Sequence, residues 1–148
     1  MLSSVVLASL NSARSKARDA RRLADLKEMQ KALELFFDDN GRYPYNRTSS
    51  GGAIYSGWYG TTAGCYGNSG SVVVLDGLVG KYIPSLPIDP NPRLPSFCYL
   101  YRSINNGADY KFLVYNTVES FNPRAENHPL ADSSRSYSFS IHSPGGNF

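Results

Sequence analysis

The first forty residues follow a helical pattern of apolar and polar positions. Residues 3–39 contain neither glycine nor proline, and Ala, Leu, Lys, Arg, Glu and Gln dominate them. In the second half of this stretch, apolar side chains recur every three or four residues, as in a stripe that packs on a sheet. These side chains are Leu23, Leu26, Met29, Leu33, Phe36 and Phe37. The pattern predicts one continuous helix of about 36 residues whose second half is docked.

The first half of this helix is patterned differently. Leu7 and Leu10 are followed by the small residues Ala13, Ala17 and Ala20, which are flanked by bases. A helix of this length spans ~55 Å, whereas a compact globule of this chain length is roughly 40 Å across. We therefore expect residues 1–22 to form a protruding half-helix and residues 23–148 to form a globular head.

The helix is predicted to end abruptly at Asn40 and Gly41. Either residue can adopt the left-handed conformation that closes a helix C-terminus. Pro44 prevents the helix from resuming and favours an extended Tyr43. Backbone chemistry, rather than charge, accounts for this stop, because the last turn carries acids and no bases.

The last third of the chain has strand patterns. Residues 97–104 and 110–118 predict a hairpin with a loop at 105–109. A third strand is expected at 136–142, with Tyr137, Phe139 and Ile141 buried and the intervening serines facing water. Packing of the apolar helix stripe on this three-stranded antiparallel sheet predicts an α+β fold. Residues 72–82 fit either a strand at 72–75 or a short helix, and we assign them to a helix.

Residues 45–71 form a long connection rich in Gly, Ser and Tyr, which costs entropy to order unless it is stapled. The chain has two cysteines, Cys65 and Cys98, and neither lies in a CxxC motif. We expect them to form a disulfide outside the cytosol, with two buried thiols as the alternative. Asn46-Arg47-Thr48 matches the N-glycosylation sequon, but such triplets occur often by chance and the signal is weak.

Basic residues are concentrated in the helix. Residues 14–31 carry seven bases and three acids, although the whole chain has a net charge of only +3. Arg14, Arg18, Arg21 and Arg22 could neutralise phosphates, which leaves nucleic-acid binding or DNA uptake as an alternative function. Interleaved acids at helical spacing favour a solvated, salt-bridged face instead. Nucleic acid is therefore not the partner we expect.

Catalytic and metal-binding patterns are weak. His128 and His142 belong to no recognisable motif, and Asp38 with Asp39 is typical of a solvated helix end. Residues 143–147 indicate a terminal turn rather than a phosphate loop. Asp132 with its neighbouring oxygen side chains, Ser133, Ser134 and Glu126, could hold calcium, but the spacing matches no EF-hand and calcium is not assigned. The apolar stretch near residue 5 is shorter than the ~20 residues of a membrane span.

Two stretches resemble a known family. The run SSVVLASLNSARSKARDARRLADLKEMQKALELFFDDNGRYP resembles the N-terminal helix of type IV pilin-like proteins, in particular major pseudopilins of type II secretion and small bacterial type IV pilins. The run YIPSLPIDP, the aromatic-rich strand pair and the closing Pro-Gly-Gly are similar to the same proteins. The resemblance covers the first 44 residues and, less closely, residues 78–90.

The resemblance implies a pilin-like fold and a structural role without enzymatic activity or cofactor. Family members are homo-oligomeric filament subunits at the cell surface or in the periplasm. Their precursors lie in the inner membrane, where a prepilin peptidase trims them and an assembly platform adds them to the filament. For this chain, the resemblance implies that Leu7, Leu10, Ala13, Ala17 and Ala20 pack on neighbouring helices. It does not separate a pilus from a secretion pseudopilus.

This chain departs from the family at its start. The cleavage motif of the family and most of its apolar segment have no counterpart in the sequence. We therefore expect the chain to begin inside the family's helix, and we carry over no calcium ligands.

Overall fold

The protein is built from one long helix and two antiparallel sheets. A computed structural model of the chain describes residues 2–48, 53–54, 57–62, 65, 73–91 and 98–147. The predicted α+β class is confirmed, and the helix α1 runs from Leu2 to Asn40. The strands are β1 (Asn46–Thr48), β2 (Ala53–Ile54), β3 (Tyr59–Gly60), β4 (Val73–Leu75), β5 (Cys98–Ile104), β6 (Asp109–Tyr115) and β7 (Phe139–His142).

The end of α1 follows the predicted chemistry. Gly41 has a φ of +67° and donates its backbone N–H to the Phe37 carbonyl at 2.7 Å. The Asn40 side chain donates to the Phe36 carbonyl at 2.8 Å, which satisfies a second terminal acceptor. Asp39, which opposes the helix dipole, is compensated by an ion pair with Lys81. Gly41 is thus the left-handed residue, and Asn40 assists with its side chain.

The larger sheet has the strand order β3-β5-β6-β7, with all neighbours antiparallel. The predicted hairpin is confirmed, since β5 pairs with β6 along its whole length through a turn at Asn105–Gly107. One face of this sheet is aromatic and accepts the docked half of α1. Its buried side chains are Tyr99, Tyr101, Tyr110, Phe112, Val114, Phe139 and Ile141.

The opposite face of this sheet is also covered. Cys98 and Leu100 on β5 and Leu113 on β6 form a second small core, onto which Trp58 packs. A disulfide from Cys98 to Cys65 holds the covering loop in place. The connection between the first helix and the strand pair therefore contributes to the fold instead of only linking it.

The prediction for residues 136–142 was partly wrong. β7 begins only at Phe139, and Tyr137 is 47% exposed with a left-handed φ of +54°. Ser138 and Ser140, expected to face water, are buried. The reason is that loops cover this end of the sheet, and the Ser140 backbone N–H donates to Leu130 at 2.8 Å.

The prediction of a helix at residues 72–82 was also wrong. The alternative prediction of a strand holds for the first part of this stretch. Val73–Leu75 forms β4, which pairs with β1, and β1 pairs with β2 on its other side. Gly77 and Gly80 both have positive φ values, which end any regular helix. The strands β1, β2 and β3 also subdivide the connection predicted to be irregular. Residues 49–52, 55–56, 63–64 and 66–71 of this connection, residue 72 of the helix prediction and residue 97 of the strand prediction lie outside the described residues.

No helix among the described residues has both the length and the apolar character needed to cross a bilayer.

Candidate functional site

The outstanding surface of this protein is the first part of α1. From Val5 to Arg14 every side chain is exposed, and the apolar ones are not covered by the rest of the chain. Val5 is 70% exposed and Leu10 is 44% exposed. The helical order of this segment therefore occurs without support from the head. We call residues 5–17 the exposed helix segment.

The residues predicted to contact other subunits all lie on α1 and are all exposed. They are Leu7, Leu10, Ala13, Ala17 and Ala20. Leu7 and Leu10 provide apolar area, whereas the three alanines leave the backbone accessible to a close neighbour. Four of the five positions thus lie in the exposed helix segment, and Ala20 lies just beyond it, next to the buried Asp19.

The residues predicted to dock the helix occupy its second half. Leu26, Met29, Leu33 and Phe36 are buried in the main core, and Leu23 and Phe37 pack against it while partly exposed. Ala32, which was not singled out from the sequence, is also buried at 1% exposure. The predicted stripe included only large apolar side chains, so this small residue was not predicted to be buried.

A cluster of charges with a buried centre joins the helix to the head where the exposed segment ends. It consists of Arg18, Asp19, Arg22, Asp89 and Glu119, and we call it the ion-pair clamp. Arg22 is fully buried and binds the Asp89 carboxylate with two parallel N–H donors at 2.8 Å each. The same guanidinium donates to Asp19 at 2.6 Å and to Glu119 at 3.0 Å.

The Asp19 carboxylate ties the helix to the segment after β6. It accepts the backbone N–H of Ser120 at 2.8 Å and the Ser120 hydroxyl at 2.6 Å. It also accepts the backbone N–H of Glu119. Every polar atom of this buried carboxylate is therefore engaged, as burial of a charge requires.

The clamp shifts the ionisation of its members. Hydrogen bonds from Arg18, followed by those from Arg22, lower the pKa of Glu119 to about 2. Burial lowers the pKa of Arg22, but hydrogen bonds and the charge of Asp89 outweigh this effect, so the net pKa is raised. Both groups are charged across the physiological pH range. The clamp thus keeps its charges at physiological pH and attaches the helix to the head where the exposed helix segment ends.

Sequence reasoning did not identify the clamp. Asp19 and Arg22 have the i, i+3 spacing of a helical ion pair, but this spacing is common on solvated faces. Their partners Asp89 and Glu119 are far away in the chain, so pairing required the fold. A buried position for Arg22 also means that it is not part of an open basic face.

The other candidate residues have local structural partners. The Asp132 carboxylate pairs with the buried Lys111 ammonium at 2.8 Å and accepts the Ser134 hydroxyl. Burial raises the pKa of Asp132, but hydrogen bonds from Lys111 and Ser134 outweigh it, so the net pKa is lowered. His128 packs against Phe139. In the described part of the chain, no group of three or more His, Cys, Asp or Glu side chains could hold a metal ion.

The sequon asparagine is buried. Asn46 donates its side-chain amide to the Gly57 carbonyl at 2.7 Å and accepts the Ser103 hydroxyl at 2.7 Å. Both ends of this side chain thus hold β1 to neighbouring segments. A glycan on the amide nitrogen would require the folded structure to open here.

Comparison of this chain with protein-family models, with curated proteins and with solved structures finds no match in any of the three.

Proposed function

We propose that this protein is the structural subunit of a helical filament of the type IV pilus or type II secretion pseudopilus kind. The supporting observation is the exposed helix segment, on which Val5, Val6, Leu7 and Leu10 present apolar area to water. Contiguous exposed apolar area usually marks a surface that binds a partner. In the proposed filament, helices of neighbouring copies cover it.

Two further features suit this role. The alanines at positions 13, 17 and 20 permit helices to approach closely. The ion-pair clamp, with Arg22 at its centre, keeps the helix at a fixed angle to the head. Identical copies with a rigid, protruding element can repeat one head-to-tail contact, which produces an open filament when the symmetry does not close.

The proposal includes the cellular setting of such filaments. Copies of the subunit would act outside the cytoplasm, and an assembly platform and a prepilin peptidase would handle the full-length precursor at the inner membrane. The disulfide between Cys65 and Cys98 is consistent with an oxidising location. The role is structural, and it needs no cofactor and no chemical step.

The alternative function, nucleic-acid binding through the helix, has less support. Of the four arginines that it would use, Arg22 is fully buried and Arg18 forms a two-pronged ion pair with Glu119. Only Arg14 and Arg21 remain exposed. A phosphate-binding stripe would require more of the basic residues to face solvent.

The test is to image cells that express the protein, using an antibody raised against the head, and to compare two variants. Leu10→Asp changes the exposed helix segment, and Leu35→Asp changes a leucine with the same 44% exposure on the docked half. We expect labelled filaments for the unaltered protein and for Leu35→Asp, and none for Leu10→Asp, because a charge there would be buried between helices.

Both variants must also be shown to fold, by equal thermal unfolding of the purified chains. Diffuse label without any polymer for the unaltered protein would contradict the proposed function. Filaments that tolerate Leu10→Asp as well as Leu35→Asp would contradict packing through this part of the helix.

A further inference from the structure

A small groove runs beside the docked half of α1. Its helix side is formed by Arg21, Asp25 and Glu28, and its other side by residues 83 and 85–88. Ile83 is buried at the floor, whereas Ile88 is 57% exposed at the rim. The groove thus combines apolar side chains with two carboxylates and one guanidinium along its helix edge.

The size of the groove indicates what it can hold. Its volume is about 260 Å³. Small-molecule sites usually measure ~300–1,000 Å³ and enclose their ligand, so this groove is better suited to one or two side chains of a macromolecule.

The charges on the two helix halves are complementary. Asp25 accepts a hydrogen bond from the Tyr99 hydroxyl at 2.6 Å, while Glu28 has no hydrogen bond or ion pair with any residue that the structure describes. Arg14 and Lys16 in the exposed helix segment likewise have no such partner in the described ranges. Residues 2–17 contain no acid at all. The segment therefore carries bases and no acid, whereas the groove carries two carboxylates against one base, Arg21.

These observations lead us to propose that the groove is the docking site for the exposed helix segment of a second copy of this chain. The proposal rests on the proposed filament and names its subunit contact. Lys16 or Arg14 of the incoming helix pairs with Glu28, and an adjacent apolar side chain covers Ile88. From Lys16 to Glu28 the helix rises about 18 Å, so parallel copies offset by that distance bring the two charges together. Each copy then offers its own groove to the next one.

Chemical crosslinking of filaments sheared from cells tests this contact directly. A zero-length carbodiimide reagent joins an ammonium to a carboxylate only when the two are in contact. We mix subunits with two isotope labels during assembly and identify the joined peptides by mass spectrometry. The expected product joins Lys16 of one copy to Glu28 of another.

Charge exchange provides the second measurement. Glu28→Lys alone, and Arg14→Glu with Lys16→Glu, should each weaken the subunit contact by about two- to tenfold, because attraction becomes repulsion. The combined variant should restore filament yield, since the charges are exchanged. Lys27→Glu is the matched control, as this exposed base on the same helix does not line the groove.

The outcomes separate the docking contact from the filament role. Filaments that persist in all charge variants and give no crosslink between Lys16 and Glu28 overturn the groove as the docking site but leave the filament role intact. A lack of polymer from the unaltered protein overturns both proposals.

Discussion

At the scale of single residues, buried charge is the most consequential feature of this protein. Arg22 contacts three carboxylates and is out of reach of water. Removing these charges from water costs free energy, which offsets much of their mutual attraction. The effect on stability is therefore large mainly when one partner is removed and the others stay buried.

Replacement of the central arginine tests this point. Arg22→Met should lower the free energy of unfolding by about 3–5 kcal/mol, because Asp19 and Asp89 would remain buried without their cation. The neighbouring exposed Arg21→Met should change it by no more than ~0.5 kcal/mol. Urea unfolding of both variants gives the comparison. Equal effects of the two substitutions would show that the clamp does not hold the helix to the head.

Glu119 gives the clamp a dependence on acid. Its pKa falls from 4.5 in the unfolded chain to about 2 in the folded protein, mainly through hydrogen bonds from Arg18. The stabilisation is therefore complete above pH ~4.5 and is lost as the pH falls towards ~2. After allowance for solvent screening we expect a loss of about 1–2 kcal/mol. Unfolding measured from pH 5 to 2 should show this decrease in the unaltered protein, and Glu119→Gln should reduce it.

The turn between β5 and β6 depends on one glycine. Gly107 has a φ of +80°, and a Cβ there would lie 2.7 Å from the Tyr43 carbonyl oxygen. Gly107→Ala should cost about 1–3 kcal/mol of stability. Asn106→Gly at the neighbouring, exposed position of the same turn, where φ is +56°, should be neutral or slightly stabilising. Thermal unfolding of both variants measures this difference, and an unperturbed Gly107→Ala would show that the turn can shift away from Tyr43.

At the scale of elements, the sequence correctly predicted the helices and strands whose apolar residues follow a single periodicity. The stripe from Leu23 to Phe36 can be read only as a helix, and the hairpin is marked by two strand patterns around a polar loop. Residues 72–82 carried two patterns at once, and pairing with β1 decided between them. The clamp was not predictable, because Asp89 and Glu119 become neighbours of Arg22 only in the folded chain.

The loop that covers the far face of the larger sheet depends on the disulfide. Cys65 and Cys98 are 33 residues apart, which corresponds to about 3–4 kcal/mol of stabilisation in the chain-entropy estimate. Cys65→Ser with Cys98→Ser should therefore lower the free energy of unfolding by roughly that amount. Hydrogen exchange should increase most in β3 and least in the docked half of α1. Uniform exchange along the chain would contradict a local role for this loop.

At the scale of the whole molecule, the head and the exposed helix segment are expected to be energetically separate. From Val5 to Arg14 the side chains are all exposed, whereas the clamp, which includes Asp19, follows closely. Substituting Val5, Leu7 and Leu10 with Ser should therefore change the thermal unfolding of the head very little, within ~0.5 kcal/mol. The same variant should fail to form filaments, because the apolar area that neighbouring copies would cover is gone. Loss of stability together with assembly would instead mean that this segment supports the head, and the free helix would then need another explanation.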